Sequence, residues 1–170
     1  MQTHVKIKNP TVDQAEHFIK MVGLSDILGC TLIGPPGMGK THMVENTLKE
    51  LDIPYEKYGG HITLAAIYEY LFTHSDKLIF FDDCSQLIRN VEIMELLKQA
   101  LSESQIKREL HYRSYGTRIT APPKFEFSGR VIMAFNVMDK RDENVKAVIS
   151  RAPAIELRFS RIEILEATKK

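Results

Sequence analysis

Gly34, Pro35, Pro36, Gly37, Met38, Gly39, Lys40 and Thr41 spell G-x-x-x-x-G-K-T. Glycines at these positions let a backbone curl around phosphate oxygens without Cβ clashes. The lysine can reach β- and γ-phosphates, and the threonine hydroxyl can hold Mg²⁺. His42 follows directly and closes a candidate nucleotide-contacting run, Gly34 to His42. A second point of chemistry is Asp82-Asp83, two carboxylates after the apolar run Leu78-Ile79-Phe80-Phe81. Mg²⁺ takes oxygen ligands and bridges phosphate oxygens, so Asp82 suits its shell, through water. Asp83 suits orienting or deprotonating an attacking water. Adjacent acids repel, which a cation between them relieves. A solvated strand end also ends in Asp; the phosphate loop upstream is what favours the metal role.

These groups need a scaffold that brings them together. Cys30-Thr31-Leu32-Ile33 is short, apolar and partly β-branched, as a buried parallel strand is. Thr41 to Leu51 contains no Gly or Pro and spaces Met43, Val44, Leu48 and Leu51 as a helix does. The loop therefore joins a strand to a helix N-terminus, where free N–H groups and the dipole face an anion. Further strands are predicted over 54–58, 77–82, 130–135 and 154–159. Helices are predicted over 11–22 (Thr11 as N-cap; Val12, Ala15, Phe18, Ile19 and Val22 inward), from Leu64 to about His74 after Thr63, from Asn90 to about Ser104, and over 142–150. Five apolar strands alternating with helices imply an α/β fold, a three-layer αβα domain with a five-stranded parallel sheet. Ligands bind beyond the carboxyl ends of such strands, which places Asp82 and Asp83 near the loop.

Two later features narrow the reading. Val131-Ile132-Met133-Ala134-Phe135 is an apolar strand ending in Asn136, and Ile149-Ser150-Arg151 follows. In this order, phosphate loop, Asp-Asp, strand-Asn and Ser-Arg, the chain resembles the AAA+ ATPases of the P-loop NTPase superfamily. It is most similar to the phage- and plasmid-borne branch related to replication initiators, helicase loaders and clamp loaders. The resemblance covers about residues 25–165. It implies a strand order of 5-1-4-3-2, ATP and ADP as ligands with Mg²⁺, and a Mg-dependent ATPase that remodels or loads a partner in phage DNA replication or DNA metabolism. Asn136 would be the residue that senses the γ-phosphate. Arg151 would be an arginine finger acting in trans within a homo-oligomeric ring, with a hexamer as one candidate. An amide both donates and accepts, and a guanidinium stabilises charge on a transferred phosphoryl group. Asn136 as a turn cap and Arg151 as a cation at a helix C-terminus are the structural alternatives, with Arg158 and Arg161 as substitute fingers. The resemblance also implies 1–24 as an N-terminal helical segment, 25–160 as the nucleotide-binding core and 161–170 as the start of a truncated lid or tail. A polar residue on the second strand often restrains the catalytic acid in that family; Tyr58 and Thr63 are the candidates here. A nucleotide-gated adaptor with negligible hydrolysis is the competing function.

A GTPase would read guanine with N-K-x-D, but Asn136-Val137-Met138-Asp139 lacks the lysine, and no glycine follows Asp82-Asp83 in D-x-x-G spacing. No arginine-rich lid marks a small-molecule kinase. At 170 residues, net charge +1, 44% hydrophobic and 26% charged, the chain fits one ordinary globular domain with no global field for nucleic acid or membrane. No apolar run approaches the roughly 18 residues of a membrane span. Cys30 and Cys84, without C-x-x-C, read as buried thiols of a reducing compartment. Together with the absence of a signal-peptide core, this predicts a cytoplasmic protein. Between Glu103 and Arg130 the charge is locally +3, with His111, Tyr112 and Tyr115 interleaved. This makes 105–130 a candidate contact for nucleic acid or a protein partner, or else a hairpin whose rings pack beneath it.

Overall fold

Five parallel strands form one sheet with helices on both faces in the computed structural model, which describes residues 12–103, 108–112, 119–139 and 141–157. Chain order is α1 (Val12–Gly23), β1 (Gly29–Ile33), α2 (Lys40–Glu50), β2 (Tyr55–Gly59), α3 (Leu64–Thr73), β3 (Leu78–Asp82), α4 (Val91–Ala100), β4 (Arg108–His111), β5 (Lys124–Phe127), β6 (Arg130–Phe135), α5 (Glu143–Ile149) and β7 (Ala154–Glu156). The large sheet runs β2-β3-β6-β1-β7. Numbered as the five core strands, that is the expected 5-1-4-3-2 read from the other edge. Thr11, the Val12 side chain, Lys107, Arg113, Tyr115, Arg118, Arg158, Arg161 and the segment 161–170 lie outside the described residues.

Strand alternation divides the core into two layers. Leu78 and Phe80 of β3, Ile132 and Ala134 of β6, and Cys30 and Leu32 of β1 face α1 and α2. Ile79 and Phe81, Val131, Met133 and Phe135, and Ile33 face the other way, against α3, α4 and α5. Each fully buried Leu, Ile or Phe contributes about 1.5–3 kcal/mol, and the central strands β3, β6 and β1 bury such residues on both faces of the sheet. Both thiols are buried, and burial raises Cys30 to about 12 and Cys84 to about 11.

Three expectations are corrected. The edge strand β2, Tyr-Glu-Lys-Tyr-Gly, is not apolar: it has a neighbour on one side only and is largely half-exposed. The fourth helix stops at Ala100, where Leu101 takes the C-cap, short of Ser104. Leu101 is still fully buried, so its periodicity signalled burial rather than helix. The last strand spans only Ala154–Glu156 of the described residues.

The excursion before β6 is an antiparallel hairpin, β4 with β5, in the register Leu110↔Phe125. Tyr112 and Phe125 pack downward, while His111 is exposed beside Glu109. Tyr68 of α3 meets Tyr112 and Phe125, each at 5.1 Å, and its hydroxyl donates to Pro122 O at 2.8 Å. Arg108 is 3% exposed, lies over the Phe127 ring and donates to Gly129 O. Arg130 donates to Val22 O (2.8 Å) and Gly23 O at the end of α1. Two of the cations counted in this segment are thus structural.

Candidate functional site

The loop between β1 and α2 is shaped by its glycines. Gly37 and Gly39 have φ of +78° and +73°, a region most L-residues avoid, and a Cβ at either would meet nothing within 4 Å. The cradle is open rather than packed. Gly39 is the N-cap of α2 and provides no side-chain acceptor. By contrast Thr63, Asn90 and Asp142 cap α3, α4 and α5 through their side chains. The first N–H groups of α2 are therefore left for an anion, with the positive end of the helix dipole behind them. Gly34 N donates to Phe135 O at 3.1 Å, which fixes the start of the loop against the end of β6.

Three strand ends converge here. Lys40, 8% exposed, donates to Gly34 O (2.6 Å), Pro35 O (3.0 Å) and Asn136 Oδ1 (3.0 Å). Asn136 Nδ2 donates to Asp83 Oδ1 at 3.1 Å. Lysine can only donate and an ionised carboxylate can only accept, so the two neighbours fix which way the amide faces. Asp83 sits at φ +55°, a conformation that Asp tolerates better than most residues, and its N–H donates to Ala134 O at 3.0 Å. That kink takes the chain out of the β3 pleat, and Asp83 meets Asn136 while Asp82 meets the hydroxyl of Thr41. Thr41 Oγ1 lies 3.0 and 2.9 Å from Asp82 Oδ1 and Oδ2. Burial lowers the Lys40 ammonium below its ordinary value of 10.5, with Asp83 and then Asp82 acting against the shift.

The donor set fits a magnesium nucleotide. The Thr41 hydroxyl donates a hydrogen bond to Asp82 and keeps its lone pairs for a hard cation. Among the described residues no group of three or more His, Cys, Asp or Glu could hold a metal. A hydroxyl and one carboxylate leave most of the shell to phosphate oxygens and water, which is how Mg²⁺ is usually held.

The remaining predicted residues are placed as follows. Pro35 and Pro36 are exposed and Met38 is half-exposed at the rim of the cradle. His42 is exposed, with Nε2 2.8 Å from Asn46 Nδ2 on the next turn of α2. Arg151 follows α5, and its Nη1 donates to Ala147 O at 2.7 Å. Within one protomer it therefore stands at a helix C-terminus and has no bond to the acid pair. Asp139 binds Arg141 through Nε and Nη2, both at 3.1 Å. Neither strand-two candidate meets an acid. The Tyr58 hydroxyl donates to His61 O at 3.2 Å, and Thr63 Oγ1 accepts from Ala66 N at 3.2 Å.

The strand-two residue that does meet an acid is Lys57, which sequence reasoning missed. Its Nζ is 3.0 Å from Asp82 Oδ2 and 2.7 Å from Glu45 Oε1. Burial pulls its pKa down, but the hydrogen bonds to Glu45 and Asp82 outweigh that and leave it above 10.5. The only signal in the sequence was parity. Lys57 shares its face of the strand with Tyr55, yet its partner depends on the β2–β3 register, which no local pattern reveals.

Residues 30–158 match the family model described as "ATPase family associated with various cellular activities (AAA)". No curated protein matches the chain. No helix among the described residues is long and apolar enough to cross a membrane.

Proposed function

This chain belongs to the AAA family of ATPases and is an ATP-binding module, and from that premise we propose that it hydrolyses ATP to ADP and phosphate with Mg²⁺. The observation that carries the reading is the link Lys40–Asn136–Asp83 beside the pair Thr41–Asp82. It sets a phosphate-binding cation, a metal-binding hydroxyl and a candidate base around one open cradle. Backbone N–H groups of residues 37–41 and Lys40 bind the phosphates. Thr41 and Asp82 would hold the metal, which when bound would supply positive charge against the phosphate oxygens. Asn136 engages Asp83 Oδ1, and Oδ2 is the oxygen for an attacking water. Asp83 orients that water and takes its proton as the new bond to the γ-phosphorus forms and the bond to the bridging oxygen breaks.

Two variants test this. Lys40→Ala should abolish nucleotide binding. Asp83→Asn should bind ATP normally and hydrolyse it at least about 100-fold more slowly. Retained binding in the first or normal turnover in the second would overturn the assignment.

Arg151 completes the site of a neighbouring copy in this reading. One of its nitrogens is committed to Ala147 O, and a guanidinium has further N–H donors to present outward. Turnover per subunit should then rise with protein concentration, and a mixture of inactive Arg151→Ala and Lys40→Ala proteins should regain activity. The resemblance to helicase and clamp loaders favours a partner in DNA metabolism, and phosphate release with and without single-stranded DNA tests it. One observation favours the adaptor reading. The acid at the water position is a short Asp already held by Asn136. Turnover that stays negligible with DNA and at high protein concentration would support that alternative.

A further inference from the structure

The Thr41–Asp82 pair belongs to a four-residue circuit that spans three elements. Thr41 and Glu45 stand four apart on α2 and so share one face of the helix. Lys57 pairs in register with Phe80, and Asp82 lies two residues further along β3, on the same side of the sheet. The Lys57 stem runs over the Phe80 ring, 5.6 Å from Nζ to the centroid, and delivers its ammonium between the two carboxylates. Asp82 is the less exposed of these, 18% against 38% for Glu45. Asp82 therefore carries a positive neighbour from β2, the edge strand on the far side of β3 from β1. Thr41 already reaches both oxygens of Asp82, so the carboxylate keeps its place without Lys57.

We propose that Lys57, acting through Asp82, weakens the coupling between magnesium and nucleotide binding, and that Glu45 offsets part of this by sharing the ammonium. The inference rests on the site taking a magnesium nucleotide. A carboxylate engaged by an ammonium attracts a divalent cation less than a free one does. Removing the lysine charge should favour the metal-bound nucleotide over the metal-free one. Such tuning lets the metal leave more readily with the product.

The test compares ADP affinity by calorimetry in excess Mg²⁺ and in excess EDTA, which reads binding without turnover. Lys57→Met keeps the stem over Phe80 and removes the charge. The ratio of metal-free to magnesium dissociation constants should rise about 5-fold, the order expected for a unit charge near a divalent one at a solvated site. Lys57→Arg should keep the wild-type ratio. Glu45→Gln, at a half-exposed position of α2, should lower it, because the ammonium then turns wholly to Asp82. An unchanged ratio in Lys57→Met, or an Arg variant that behaves like Met, overturns the proposal. If Lys57→Met does not fold, Lys57→Arg and Glu45→Gln decide: an Arg ratio that departs from wild type, or a Gln ratio that does not fall, overturns it. If the unaltered protein binds no ADP under either condition, the nucleotide-site reading fails instead.

Discussion

Asn136 shows how much chemistry a single amide organises. Its oxygen accepts a hydrogen bond from Lys40 and its nitrogen donates one to Asp83, so it links the proposed phosphate-binding cation to the candidate base. Asn136→Ala should leave ATP affinity within a few-fold and lower turnover by about 10-fold or more, read as a fall in kcat with little change in binding. Lys40 gives a pH prediction. Burial holds its pKa below 10.5, so it loses its charge at lower pH than an exposed lysine. Nucleotide affinity should decline on the alkaline side, beginning below pH 10.5, as a pH series of binding titrations would show. Lys40's contribution to stability moves oppositely. In that window the unfolded chain binds more protons at this position, so the contribution rises with pH as the buried charge is relieved.

At the scale of elements, the way each helix begins separates support from function. Asn90 and Asp142 cap α4 and α5, and either change to Ala should cost about 1 kcal/mol in denaturant unfolding. The start of α2 has no such side chain, because Gly39 serves an open loop. Gly39→Ala isolates the backbone effect. A Cβ there touches nothing, so the loss should be about 1 kcal/mol from the positive φ alone. Gly129→Ala is the contrast. A Cβ there would come within 2.3 Å of Lys77 O and 2.7 Å of the Phe127 ring, so both strand ends must shift. About 3 kcal/mol, measured the same way, is expected.

At the scale of the whole molecule, α1 is tied to the sheet. It packs on α2 and β1, and Arg130 at the start of β6 holds the carbonyls of Val22 and Gly23. Arg130→Met should destabilise the protein by about 2 kcal/mol and expose α1 to protease before the nucleotide core. Legible in the amino-acid string were the phosphate loop, the strand and helix on either side of it, the caps Thr63 and Asn90, and Asp82, Asp83 and Asn136 at strand ends. Each of these is a local pattern: fixed spacing around glycines, apolar runs ended by a polar group, or a side chain one turn before a helix. Folding in three dimensions was needed to show that Asn136 joins Lys40 to Asp83, that Lys57 links Glu45 to Asp82, that β2 is a polar edge, and that Arg108 and Arg130 turn inward. These depend on strand register and on which elements become neighbours across 12 to 108 residues of chain, and long-range packing fixes them.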